Sequence, residues 1–75
     1  MKIVCVDVRH LATHAKKHQV RQAFENLGWS AAVGMASHTS LTNEQSIDYY
    51  EFTWWDSWEP VYPDIPAGCV LTKIS

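Results

Sequence analysis

From Gln22 to Thr72 the chain has neither lysine nor arginine. The formal net charge is −2, whereas a nucleic-acid-binding domain usually carries a basic balance. Cysteine is scarce too. Cys5 and Cys69 are too few for a disulfide scaffold and sit in the apolar runs IVCVDV and CVLTKI, so both read as free core thiols. With three glycines, none grouped, there is no glycine-rich phosphate loop. No apolar stretch approaches the roughly 20 residues of a membrane span. The leading MKIVCVD is too short in apolar residues to read as a secretory signal. A cytoplasmic protein without a membrane segment is the expectation.

Against these shortages stands an apolar content of 47% with four tryptophans, enough to build a core in one domain spanning residues 1–75. KIVCVDV is rich in β-branched residues, with Val4, Val6 and Val8 on one face and Ile3 and Cys5 on the other. It reads as a strand central in its sheet or covered on both sides. Asp7 at its end is a carboxylate of the kind often functional at strand ends in α/β folds, but pairing with Arg9 or with a helix amine is the expectation. THAKKHQVRQAFENLG carries both helix signals, Thr13 as cap and Gly28 as stop. Its apolar face gathers Val20, Ala23, Phe24 and Leu27, and Lys17 flanks it with a stem able to cover the core. WSAAVGMASH alternates as a second strand, its small-residue face expected under the helix, where Gly34 permits close approach.

LTNEQSIDYYEFTWWDSW supports two readings. Thr42 with Gln45 forms a capping-box pattern, and Ile47, Tyr50, Trp54 and Trp58 have helical spacing. YYEFTWW, however, alternates aromatic β-formers with polar residues, and on this ground a strand is preferred, with TNEQS as its hairpin connection. EPVYPDIPAG holds all three prolines and reads as an irregular surface loop; CVLTKI closes as a short strand. The fold class is therefore α+β: a small single domain ordered β-α-β-β-loop-β, its sheet mainly antiparallel, one helix across one face. This order resembles the first half of a ferredoxin-like fold, with a Pro-rich loop where a second helix would stand.

Three constellations carry possible chemistry. In HLATHAKKH, His14 and His18 lie one helical turn apart and could share a metal ion, but His10 precedes the cap. A third ligand, Glu25 or His38, is uncommitted, so no metal and no cofactor is expected. His14, Lys16, Lys17, His18 and Arg21 form a basic face able to meet phosphates. Glu25, Glu44, Asp48, Glu51, Asp56, Glu59 and Asp64 supply the formal charge of the cation-free region, and seven aromatics from Tyr49 to Tyr62 are interleaved with them. A core this small has difficulty absorbing so many rings, so some are expected at the surface; the competing reading is an aromatic-heavy core with a solvated acidic rim. Glu51, Trp55, Asp56, Trp58, Glu59, Tyr62 and Asp64 are accordingly the expected partner-binding residues, in the mixed aromatic and acidic composition of a hot spot for a basic partner.

No nucleophile elbow or HExxH pattern is present, and a non-enzymatic role is expected. The size and the split into a basic helix and an acidic aromatic region resemble small phage-encoded inhibitors, the anti-CRISPR proteins among them. That resemblance implies a module covering a basic, nucleic-acid-binding surface of a host protein, with a homodimer as one possible state. The alternatives are a nucleic-acid-associated module acting through the basic helix, which the acidic balance disfavours, and a metal-binding homo-oligomer.

Overall fold

The computed structural model describes residues 1–34 and 47–75, and at positions 33 and 34 the backbone alone. The TNEQS connection, His38 and Glu44 lie outside the described residues. The elements run β1 (Lys2–Asp7), α1 (His14–Asn26), β2 (Ser30–Gly34), β3 (Tyr49–Trp54) and β4 (Val70–Lys73). They form a four-stranded sheet in the order β2-β3-β1-β4. β1 pairs antiparallel with β3 and β4, and β2 pairs antiparallel with β3. β1 and β2 thus run the same way with β3 between them, a split βαβ unit joined by α1.

The alternation in β1 decides which face is core. Val4, Val6 and Val8 are buried with Tyr50, Phe52 and Trp54 of β3, beneath Val20 and Phe24 of α1. The rings of Phe24 and Phe52 stack 4.0 Å apart and nearly parallel, which fixes the helix over the middle of the sheet. Each fully buried side chain of this kind contributes about 1.5–3 kcal/mol. Thr13 caps α1, its hydroxyl accepting from the Lys16 amide. Gly28, at φ 111°, ends it by adopting the left-handed region that a side chain would resist.

Several expectations need correction. β1 is central but covered on one face; Ile3, Cys5 and Asp7 are half-buried on the other, so Cys5 lies on the uncovered face and outside the core. The small-residue face of β2 is likewise turned away from the helix. Ala31 registers with Phe52 on the core side, while Ser30 and Ala32 register with Thr53 and Glu51 on the uncovered side. The bulk of Trp29 explains this: its indole is buried against Phe24, and the helix needs that filling. Leu27 is the C-cap of α1 and is exposed, because the helix ends before its side chain can turn onto the core. Lys17 covers the core as expected, but its charge does not join the basic face. It is buried, and its Nζ donates to the Ile47 carbonyl at 2.6 Å, tying α1 to the entry of β3.

The segment from Trp55 to Cys69 stands where a second helix would lie, and it is more than a surface loop. Ile65 packs against the core, and two core tryptophans hold the backbone: Trp29 Nε1 donates to the Val61 carbonyl at 2.7 Å and Trp54 Nε1 to the Trp58 carbonyl at 3.1 Å. Three prolines spare this irregular stretch three backbone donors that a helix would otherwise have to satisfy.

Candidate functional site

The aromatic residues from 54 to 62 divide by exposure. Trp54 is 1% exposed, whereas Trp55 is 65% and Trp58 57% exposed. Strand alternation accounts for the first, since Trp54 continues the core row of Tyr50 and Phe52. The exposed rings are nevertheless seated. Trp58 meets Trp54 edge-on with centroids 4.8 Å apart, and Tyr62 tilts over Trp29 at 5.3 Å. Val61 lies exposed between them, its carbonyl anchored by Trp29. Trp58 and Tyr62 each present one side to solvent and rest the other on a buried indole, while Trp55 stands exposed beside them in the chain. Such seating lowers the entropy lost when a partner covers the ring.

The carboxylates do not form one rim around these rings. Asp56, Glu59 and Asp64 are exposed on the loop. Glu59 shares a cleft of about 250 Å3 with Lys2, Lys73 and Tyr62, and the Lys73 Nζ stands 5.5 Å from the Tyr62 ring centre. Asp64 and Pro66 face Lys16, Val20 and Ala23 of α1 across a second cleft of about 500 Å3. The loop is therefore flanked by lysines from distant parts of the chain, and its local charge is mixed. Glu51 is further removed. It stands on the uncovered sheet face, opposite the core row from which Trp58 is supported.

On that uncovered face lies a groove of about 370 Å3 lined by Cys5, Asp7, Arg9, Asp48, Tyr49 and Val70, among others. Of the two partners expected for Asp7, it is Arg9 that pairs: Arg9 Nη2 reaches the carboxylate at 2.8 Å, its Nε lies within 3.2 Å of both oxygens, and its amide donates at 2.9 Å. Hydrogen bonds from the Arg9 side chain, then from its backbone, hold the Asp7 carboxyl below the usual range. The Cys5 thiol is pushed up, first by burial and then by the charges of Glu51 and Asp7. Sequence reading missed that Asp7 and Asp48 line one groove and that Glu51 stands opposite Cys5, because tertiary approach and strand register, and not spacing, bring these residues together.

The alternative basic face is thinner than its residues suggest. Lys17 is buried beneath the helix, and the Arg21 Nε lies 3.4 Å from the Glu25 carboxylate. His14, half-buried, and exposed Lys16 and His18 remain, with the two imidazoles 5.8 Å apart. Among the described residues no three His, Cys, Asp or Glu side chains are grouped as metal ligands. Among the same residues no helix is long and apolar enough to cross a membrane. Comparison of the chain with protein-family models, with curated proteins and with solved structures found no match to any of them.

Proposed function

We propose that this chain is a non-catalytic protein-binding module of the cytoplasm, an inhibitor-like domain that covers a surface of another protein with residues 55–62. The observation that carries this reading is the aromatic stretch in which Trp55, Trp58, Val61 and Tyr62 are exposed within eight positions, Trp58 and Tyr62 seated on two buried indoles that also hold the backbone at Trp58 and Val61. A large aromatic side chain in a rigid setting is the commonest kind of hot spot, while an exposed ring with no partner has an unfavourable hydration free energy. Asp56, Glu59 and Asp64, exposed on the same loop, favour a partner with a basic surface, such as one that itself binds nucleic acid. Lys2, Lys16 and Lys73 restrict that preference to charges placed between them.

Affinity capture from host lysate with the wild-type chain, repeated with Trp55→Ala, Trp58→Ala and the pair combined, tests the reading. The proteins retained by the wild type and lost by variants that keep their fold are the partners. With the purified partner, each truncation is expected to cost about 2 kcal/mol of binding, roughly thirtyfold in affinity. Lys16→Ala with Arg21→Ala should stay within about tenfold, as rim charges act mainly on association rate. Folded Trp variants that bind the same partner as tightly as the wild type would refute the proposal.

A further inference from the structure

Pro60, Pro63 and Pro66 recur at every third position of the segment that ends the aromatic stretch. Each proline fixes its own φ near about −65°, and each presses the residue before it (Glu59, Tyr62 or Ile65) towards extended backbone. Six of the eight residues from 59 to 66 are thereby confined to conformations near polyproline II, which turns once in three residues. The structure agrees. No helix, strand or turn interrupts residues 59–66, and the inward and outward side chains each recur at intervals of three. Tyr62 rests on Trp29 and Ile65 packs against the core, whereas Val61, Asp64 and Ala67 are exposed.

This strap runs back along α1. Trp29, beyond the helix end, holds the Val61 carbonyl; Asp64 and Pro66 face Val20 and Ala23 across the cleft of about 500 Å3; Gly68 lies beside His10, ahead of the helix start. Two features suit its outer side to recognition. Polyproline II has no internal hydrogen bonds, so its carbonyls are left for other donors. Among the described residues the Val61 carbonyl accepts from Trp29 and the Pro66 carbonyl from the Cys69 amide, while those of Tyr62, Pro63 and Asp64 accept no hydrogen bond. The second feature is the cleft, which takes its apolar lining from Leu11, Val20, Ala23, Pro66 and Ala67. Its volume falls within the range of roughly 300–1,000 Å3 typical of ligand sites. Lys16 and Asp64 add one charge of each sign, a balance that favours an uncharged occupant.

We propose that residues 60–67 are the ligand of an aromatic-lined groove on the partner, which takes the strap as it would a proline-rich peptide and seats one tryptophan or tyrosine ring between Pro66 and α1. Ring N–H or O–H groups of that groove donate to the open carbonyls, as the domain's own Trp29 does to Val61. Recognition of this kind loses little entropy, because the prolines and the anchored Tyr62 and Ile65 hold the strap in shape beforehand. The inference rests on the reading of residues 55–62 as a binding surface and extends it, since Pro60, Val61 and Tyr62 belong to both. It specifies what the partner brings besides basic charge: rings with polar hydrogens.

The partner found through the Trp55 and Trp58 variants is titrated calorimetrically with two further chains. Pro66→Ala removes a ring contact, and Ala23→Leu fills the cleft from the helix side, away from residues 55–62. Each should lower affinity at least about tenfold while thermal melting stays near the wild type; Gln22→Ala, exposed on α1 and outside the cleft, should leave affinity unchanged. A capped peptide of residues 58–68 should compete for the partner, and the same peptide with its prolines replaced by alanine should compete at least about tenfold less well. The cleft is also probed without the partner, by N-acetyltryptophanamide. Its NMR shifts on the labelled chain should gather at Val20, Ala23 and Ala67 and vanish in Ala23→Leu, with N-acetylalaninamide giving none. Shifts centred elsewhere would overturn the proposal. If the Trp variants lose the partner but Pro66→Ala and Ala23→Leu keep it, this proposal falls and the reading of residues 55–62 stands; if the Trp variants keep it too, both fall. Concentration-dependent shifts at Val20 and Ala67 with no probe added would make a second copy of this chain the source of the ring, and would overturn a separate partner.

Discussion

Replacing Trp54 with alanine should cost this domain most of its stability, and the structure allows the loss to be built up. The indole is fully buried, and removing a buried aromatic side chain costs about 3–5 kcal/mol in transfer and cavity terms. Its ring meets Trp29 at 5.2 Å and Trp58 at 4.8 Å, and such pairs contribute about 0.5–1.5 kcal/mol each beyond area. The Trp58 carbonyl loses the donor that holds the loop, about 1 kcal/mol more. These contributions overlap, so a total near 5 kcal/mol is expected. A 75-residue domain has about 4–11 kcal/mol in all. Trp54→Ala should therefore be unfolded or nearly so at 37 °C, and Trp54→Phe, which keeps part of the ring packing, should cost about 2 kcal/mol. Trp55→Ala should fall within about 0.5 kcal/mol of the wild type, and Trp58→Ala, half-seated on Trp54, between these limits at about 1–2 kcal/mol. Urea titrations followed by circular dichroism measure all four. Equal losses for Trp54 and Trp55 would refute the alternation on which both the core and the exposed ridge depend.

Lys17→Met keeps the buried stem but deprives the Ile47 carbonyl of its donor; a loss of about 1–3 kcal/mol is expected in urea unfolding, and no loss would show that water replaces the ammonium there. Arg9 holds the Asp7 carboxyl below its unfolded value, so this pair stabilises the fold above the ordinary carboxylate range and loses that effect as pH falls through the lowered folded value. Arg9→Ala should bring the Asp7 titration, followed by carboxyl carbon NMR, back up towards its ordinary midpoint and flatten the acid limb of the stability curve. Cys5 should react with a disulfide reagent at pH 8 more slowly than the same thiol in urea, and Glu51→Gln should speed the folded-state reaction, because part of the upward shift comes from that carboxylate. An unchanged rate in Glu51→Gln would leave burial and the Asp7 charge as the causes.

The local elements were legible because their signals are local. Thr13 and Gly28 bracket α1 by chemistry acting within one turn, and Val4, Val6 and Val8 name their own face by period two. In 49–54 the aromatic alternation won over the helical spacing of Ile47, Tyr50, Trp54 and Trp58, since pairing with β1 buries Tyr50, Phe52 and Trp54 together. The α+β class and the side of Trp54 followed from the same patterns. What pattern could not decide was which side of each strand the helix would take. The small face of β2 looked suited to close approach, yet the volume of Trp29 determined the outcome. The stem of Lys17 was legible as cover for the core, but its charge counted in the basic face until Ile47, thirty residues away, offered it a carbonyl. Charge position is the clearest case. Composition drew one acidic aromatic surface from residues 51 to 64, but antiparallel register sent Glu51 to the far face, and chain folding set Lys2, Lys16 and Lys73 beside the loop carboxylates. Sequence determines what each segment can bury within a few residues' reach; the approach of segments distant in the chain decides which charges and rings finally share a surface.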